Sequence, residues 1–126
     1  MEESGVFNKQ RFTGEEMKKI IGTKVKGIID RPMWSSHPNY PEMVYPINYG
    51  YVEGLLAADG EEQDVYVLGA ERPIETFEGV VIAIYHRFND VEDKWIVSID
   101  GSDYSDADIL KAIAFQEQYY EGELIR

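Results

Sequence analysis

The sequence predicts a mainly β fold with flanking helices, a small closed or nearly closed five-stranded barrel, on three observations. Short runs rich in Val, Ile and Tyr recur after Thr23, each bounded by Gly, Asp, Asn or Pro, which is the punctuation of strands and turns. Only two stretches carry helix-opening signals, one towards each end. The length of 126 residues gives room for one domain, taken as 1–126, and not for two.

Residues 1–12 show no periodicity and read as a flexible arm. Thr13-Gly14-Glu15-Glu16 then spells a capping box, in which the Thr13 hydroxyl and the Glu16 carboxylate satisfy each other's backbone amides. It opens a helix through Met17, Ile20 and Ile21, stopped at Gly22. Thr23 to Asp30 reads as a strand, and residues 31–43, with Pro32, Pro38 and Pro41, as a loop. Val44–Leu56 is the next strand, followed by the turn Ala58-Asp59-Gly60 and a short apolar strand, Asp64–Leu68. Phe77-Glu78-Gly79 reads as a turn before Val80–Phe88, the longest strand. Asn89–Asp93 is a polar turn, Lys94–Ile99 a strand, and Asp100-Gly101 its end. Ser105 caps a terminal helix whose apolar stripe is Ile109, Ala112, Ile113 and Tyr120, with Gly122 at its far end.

Composition excludes several classes. Asp plus Glu number 24 and Lys plus Arg 12, a formal charge of −12, whereas a nucleic-acid grip or an anionic-membrane footprint needs a basic face. There is no cysteine, hence no disulfide, thiolate zinc site or cysteine nucleophile. No apolar run approaches the roughly 18 residues of a membrane span. The acidic start Met1-Glu2-Glu3-Ser4 is unlike a secretory signal, so a cytoplasmic protein is expected.

Seven carboxylates gather in two clusters, Asp59-Gly60-Glu61-Glu62-Gln63-Asp64 and Asp90-Val91-Glu92-Asp93, the second followed by Lys94. If the strands at 64–68 and 80–88 pair antiparallel, both acidic loops line one mouth of the barrel. Carboxylates that close repel unless neutralised, and hard divalent cations such as Mg²⁺ or Mn²⁺ are their natural partners. The bland alternative is a pair of solvated turns. The run Tyr45-Pro46-Ile47-Asn48-Tyr49-Gly50-Tyr51 is an aromatic strand; on it Tyr45 and Tyr49 share a face and can offer hydroxyls to an anion or simply pack. His37 reads as a loop residue, His86 as a hydrogen-bonded structural one, and Trp34 and Trp95 as packing residues.

Tyr45–Tyr51, Asp59–Asp64 and Val65-Tyr66-Val67-Leu68 together resemble the core signature of family I soluble inorganic pyrophosphatases: a Tyr-Pro-x-Asn-Tyr-Gly strand, an Asp-Gly-Asp-x-x-Asp loop and an apolar strand at matching spacing. The resemblance implies an OB-like five-stranded barrel and Mg²⁺-dependent hydrolysis of pyrophosphate to two phosphates. It implies metal ligation by Asp59 and Asp64, completed by Asp90 and Glu92 or Asp93. Glu61 stands where the family has the Asp that helps deprotonate water. Tyr49, Lys94 and Tyr119 would contact phosphoryl oxygens, with Tyr45 beside them. The family's Lys-Tyr-Glu run, its clamping Arg and the Lys after the C-terminal Tyr have no counterpart here, leaving Arg31 and Arg87 as substitutes. Pyrophosphate or a related phosphoanhydride is the expected partner, and a homo-oligomer is compatible, since relatives often form hexamers. The alternatives are a catalytically degraded module that binds metal, phosphate or a partner, and a hydrolase of another phosphoanhydride.

Overall fold

The computed structural model describes residues 13–57, 60–90 and 92–126; the expected arm at 1–12 lies outside them. In chain order the elements are α1 (Gly14–Ile20), β1 (Lys24–Arg31), β2 (Asn48–Leu56), β3 (Glu62–Leu68), β4 (Thr76–Arg87), β5 (Asp93–Ser98), α2 (Asp106–Glu117) and β6 (Gly122–Ile125). The sheet runs β1-β2-β3-β5-β4-β6, and a β1–β4 pairing closes the first five strands into a barrel. The expected fold class is the observed one.

Closure rests on β4, which serves three neighbours. Along one edge it meets β5; along the other, its first half pairs with β1 (Thr76–Val80) and its second with β6 (Ile84–Arg87). A register shift between Val81 and Ala83 marks the change-over, as a bulge bends a strand where a barrel turns.

Strand alternation then sorts side chains. One apolar cluster takes residues from all five barrel strands, among them Ile29, Val52, Val65, Val67, Phe77, Val81, Ile84, Trp95 and Val97, and is therefore the barrel interior, with Met17 of α1 packed against it. The intervening positions Tyr49, Tyr66, Leu68, Ala83, Tyr85 and Ile96 form a second, outer cluster beneath Ile109 and Ile113 of α2. Both predicted caps form: Thr13 and Glu16 exchange bonds at 3.2 and 2.7 Å, and Ser105 Oγ accepts from the Asp108 amide at 3.1 Å.

Four expectations are corrected. Phe77-Glu78-Gly79 is not a turn but the interior of β4. A Cβ at Gly79 would lie 2.4 Å from the Ser98 carbonyl oxygen, so this glycine admits a neighbouring backbone rather than reversing the chain. Gly122 does not end the last helix; it begins β6, where a Cβ would sit 2.4 Å from the His86 carbonyl oxygen. Tyr45 precedes β2 instead of sharing a strand face with Tyr49, although their ring centroids still approach to 5.5 Å. Trp34 is 63% exposed at φ 76° and packs into neither core cluster, while Trp95 is buried as expected.

Substituting Gly79→Ala should lower the unfolding free energy by about 3 kcal/mol, the upper end of ordinary overpacking. Gly14→Ala, where nothing lies within 4 Å, should change it by less than about 1 kcal/mol. Urea titration of both variants checks this, and equal midpoints would contradict the assigned close approach.

Candidate active site

The two acidic segments do reach the same end of the barrel, but not by the expected pairing. β5 lies between β3 and β4, and β3 pairs with β5 in parallel, Val65 opposite Trp95. Parallel strands start at the same edge, so Asp64 and Lys94 become neighbours. Alternation places both on the outer face, on the parity of Tyr66 and Ile96, against the tyrosine cluster under α2. Gln63 and Asp93, one residue earlier on each strand, take the inner parity. The site therefore sits on the barrel's flank rather than in its mouth.

Its centre is Lys94. The side chain is 4% exposed, and its ammonium donates to Asp64 Oδ2 at 2.6 Å, Glu92 Oε1 at 2.5 Å and the Tyr49 hydroxyl at 2.8 Å. All three N–H donors of the ammonium are thereby used. Burial, and then the charge of Asp64, push the Tyr49 phenol well above its ordinary range, so it stays protonated. Arg31 lies over the rings of Tyr45 and Tyr49, its Cζ 5.7 and 5.5 Å from their centroids, and donates to the Tyr45 hydroxyl at 2.5 Å. Burial alone would lower the Arg31 pKa; the Tyr45 bond and the nearby Tyr49 and Asp30 outweigh it and hold the guanidinium charged.

Of the residues singled out in the sequence, Tyr49, Asp64, Glu92 and Lys94 meet in this cluster, and Arg31 and Tyr45 adjoin it. Asp59 lies outside the described residues. Glu61 is on the exposed turn leading into β3. Asp93 takes the other side of its strand, 3.0 Å from His86 Nδ1, which gives His86 the structural bond expected of it. Arg87 is buried and points to α2: its Nε and Nη2 donate to the two oxygens of Glu117 at 2.8 and 2.7 Å, and its Nη1 donates to Asp90 Oδ2 at 3.2 Å. Tyr119 is 69% exposed and lines a separate groove of about 630 Å³ with His37, Tyr40 and Tyr120.

Two features escaped the sequence reading. Asp30, exposed at the end of β1, borders the cluster: partial desolvation and the charge of Asp64 push its carboxyl up, against the pull of Arg31. A buried relay also runs under α2. Tyr45 donates to Gln116 Oε1 (3.1 Å), Gln116 Nε2 to the Tyr66 hydroxyl (2.7 Å), and Tyr66 to Glu117 Oε2 (2.5 Å). The available signal was a polar pair, Gln116 and Glu117, standing seven and eight residues beyond Ile109 on the stripe that should be apolar.

A family model described as inorganic pyrophosphatase matches residues 13–121. The chain belongs to that family. An inorganic pyrophosphatase of Saccharolobus solfataricus is 33% identical over 100 residues, covering 67% of this chain and 58% of that protein. One of Aeropyrum pernix is 40% identical over 57 residues, covering 44% of this chain and 30% of that protein. The chain thus spans less than two thirds of the length of either pyrophosphatase. The crystal structure of an inorganic pyrophosphatase from Ehrlichia chaffeensis superposes with a TM-score of 0.61 over 82% of this chain and 85% of that one, at 17% identity, which establishes the shared barrel.

Among the described residues no three acidic or histidine side chains already converge as a metal cluster, and no helix is long and apolar enough to cross a membrane. The donor set nonetheless fits a hard divalent ion. Asp64 and Glu92 present carboxylate oxygens, each about a third exposed, around a point already occupied by positive charge. Asp30 supplies a pH test. Its folded pKa lies above the unfolded value of about 3.9, so its favourable contribution is present at low pH and is lost as pH rises through the folded value. Asp30→Asn should therefore be more stable relative to wild type at pH 7 than at pH 3, read by urea denaturation in EDTA. A difference independent of pH would contradict a raised Asp30 carboxyl.

Proposed function

We propose that the protein hydrolyses inorganic pyrophosphate to two phosphates in a Mg²⁺-dependent reaction at the Lys94 cluster. The observation that carries this reading is the buried ammonium of Lys94 shared by Asp64, Glu92 and Tyr49. It is a cation held between partly exposed carboxylates from β3 and from the segment that leads into β5, within a chain of the pyrophosphatase family. Asp64 and Glu92, with Asp59, are the residues that would hold Mg²⁺, or Mn²⁺ in its place. Held there, it would supply a Lewis acid for activating water and for neutralising charge on phosphoryl oxygens.

The chain's own groups supply the rest. A multiply charged anion approaching a protein of charge −12 needs local positive charge; Arg31 offers a guanidinium beside the cluster, and Lys94 would join it once a divalent ion neutralised the two carboxylates that share its ammonium. Tyr49, kept as a phenol, can donate to a phosphoryl oxygen, and Tyr45 holds the Arg31 guanidinium. Glu61, two residues after Asp59 in sequence, would accept the water proton, with one methylene more reach than the Asp of the family signature it resembles. A second reading, a module that binds metal and phosphate without turnover, draws support from Arg87, committed to Glu117, and from Tyr119, which lies in another groove.

Phosphate release from pyrophosphate with Mg²⁺ separates the two. Turnover at or above about 1 s⁻¹, abolished by Asp64→Asn while the melting temperature persists, is the expected result. No release above that of the variant would leave the binding module as the surviving reading.

A further inference from the structure

Arg87 was a candidate for gripping phosphate, yet its geometry gives it other work. It is 3% exposed and Glu117 is 4% exposed, and their two-point contact lies under the end of α2 with the Tyr120 ring 3.6 Å from Arg87 Cζ. A buried ion pair is a poor source of stability, because desolvation cancels most of the attraction. What this pair adds is direction. With Nε and Nη2 fixed on Glu117, the guanidinium plane is set, and Nη1 reaches the acidic loop at Asp90 Oδ2, 3.2 Å away. The other oxygen of Asp90 accepts the Glu92 backbone amide, also at 3.2 Å. Two residues beyond Asp90, the Glu92 carboxylate meets Lys94.

We propose that the Arg87–Glu117 pair is a positioning device for the acidic loop: it anchors Asp90 and, through the Glu92 amide, sets the Glu92 carboxylate beside Asp64 for a divalent cation. This rests on the reading of the Lys94 cluster as a metal site. A lysine cannot replace the arginine, since a single ammonium lacks the rigid fork that addresses Glu117 and Asp90 together.

The test uses the full chain with the double substitution Arg87→Met and Glu117→Gln, which removes both charges at once and leaves Tyr66 an acceptor. Arg87→Lys is the second variant, retaining the charge opposite Glu117. The first readout is hydrogen exchange in EDTA. The Glu92 amide should exchange about tenfold faster in both variants, the loss of one hydrogen bond to a charged acceptor, while the amides of Val67 and Ile96 are unchanged. The second is Mn²⁺ affinity by calorimetry, expected to weaken about tenfold, as for other supports behind metal ligands. Ile109→Val, which alters the same helix away from the pair, should move neither. Unchanged exchange or unchanged Mn²⁺ affinity in a folded variant overturns the proposal. A wild-type protein that takes up no Mn²⁺ overturns the metal reading instead, and exchange at Glu92 still decides whether the pair holds the loop.

Discussion

Everything at the site depends on β3 and β5 running side by side in parallel. Parallel neighbours cannot be joined by a tight turn, so the chain must leave β3, build the long β4, and return. The return brings two acidic segments thirty residues apart to one edge and seats Lys94 next to Asp64. β4 makes this affordable in a chain of 126 residues by sealing the barrel against β1 and carrying β6 on the same edge, so that the barrel is left without an open side.

Electrostatics then explains the placement of the polar groups. The chain carries twice as many acidic as basic residues, and the cluster concentrates that imbalance: Asp64 and Glu92 share a single ammonium, and Asp30 borders them. A buried lysine serving two carboxylates holds them together. The tyrosines beneath supply hydroxyls whose protons stay in place, because burial and nearby carboxylates oppose ionisation of Tyr49 and Tyr66 alike. Through Tyr45, Gln116 and Tyr66 the same polar layer extends from Arg31 to Glu117, so the cationic flank and the support of the acidic loop belong to one continuous network under α2. Such a network is rigid when every member is satisfied.

Much of this was legible in the residues. Tyr45–Tyr51 and Asp59–Asp64 carried the family resemblance, and the capping signals at Thr13 and Ser105 gave the starts of the two helices. The errors share a physical origin. Gly79 and Gly122 look like turn residues in a sequence, but here they admit a neighbouring strand's backbone, which only tertiary packing reveals. The outer-face location of the site followed from inserting β5 between β3 and β4, and no local pattern announces a parallel pairing. Asp30 closed the expected strand Thr23–Asp30 with no role given to its carboxylate, and Glu117 lay in a stripe read only for its apolar members. At Glu117 a charged side chain fell on the buried face of its helix, and that was the usable signal.

The central claim is that the point now held by the Lys94 ammonium, between Asp64 and Glu92, is a divalent-cation site. Diffraction at the manganese absorption edge from crystals grown with Mn²⁺ tests it directly. The expected result is an anomalous peak about 2–2.5 Å from a carboxylate oxygen of Asp64 or Glu92, with Lys94 turned away from at least one of them. Manganese ordered elsewhere, or absent while Lys94 still bridges both carboxylates, would contradict it.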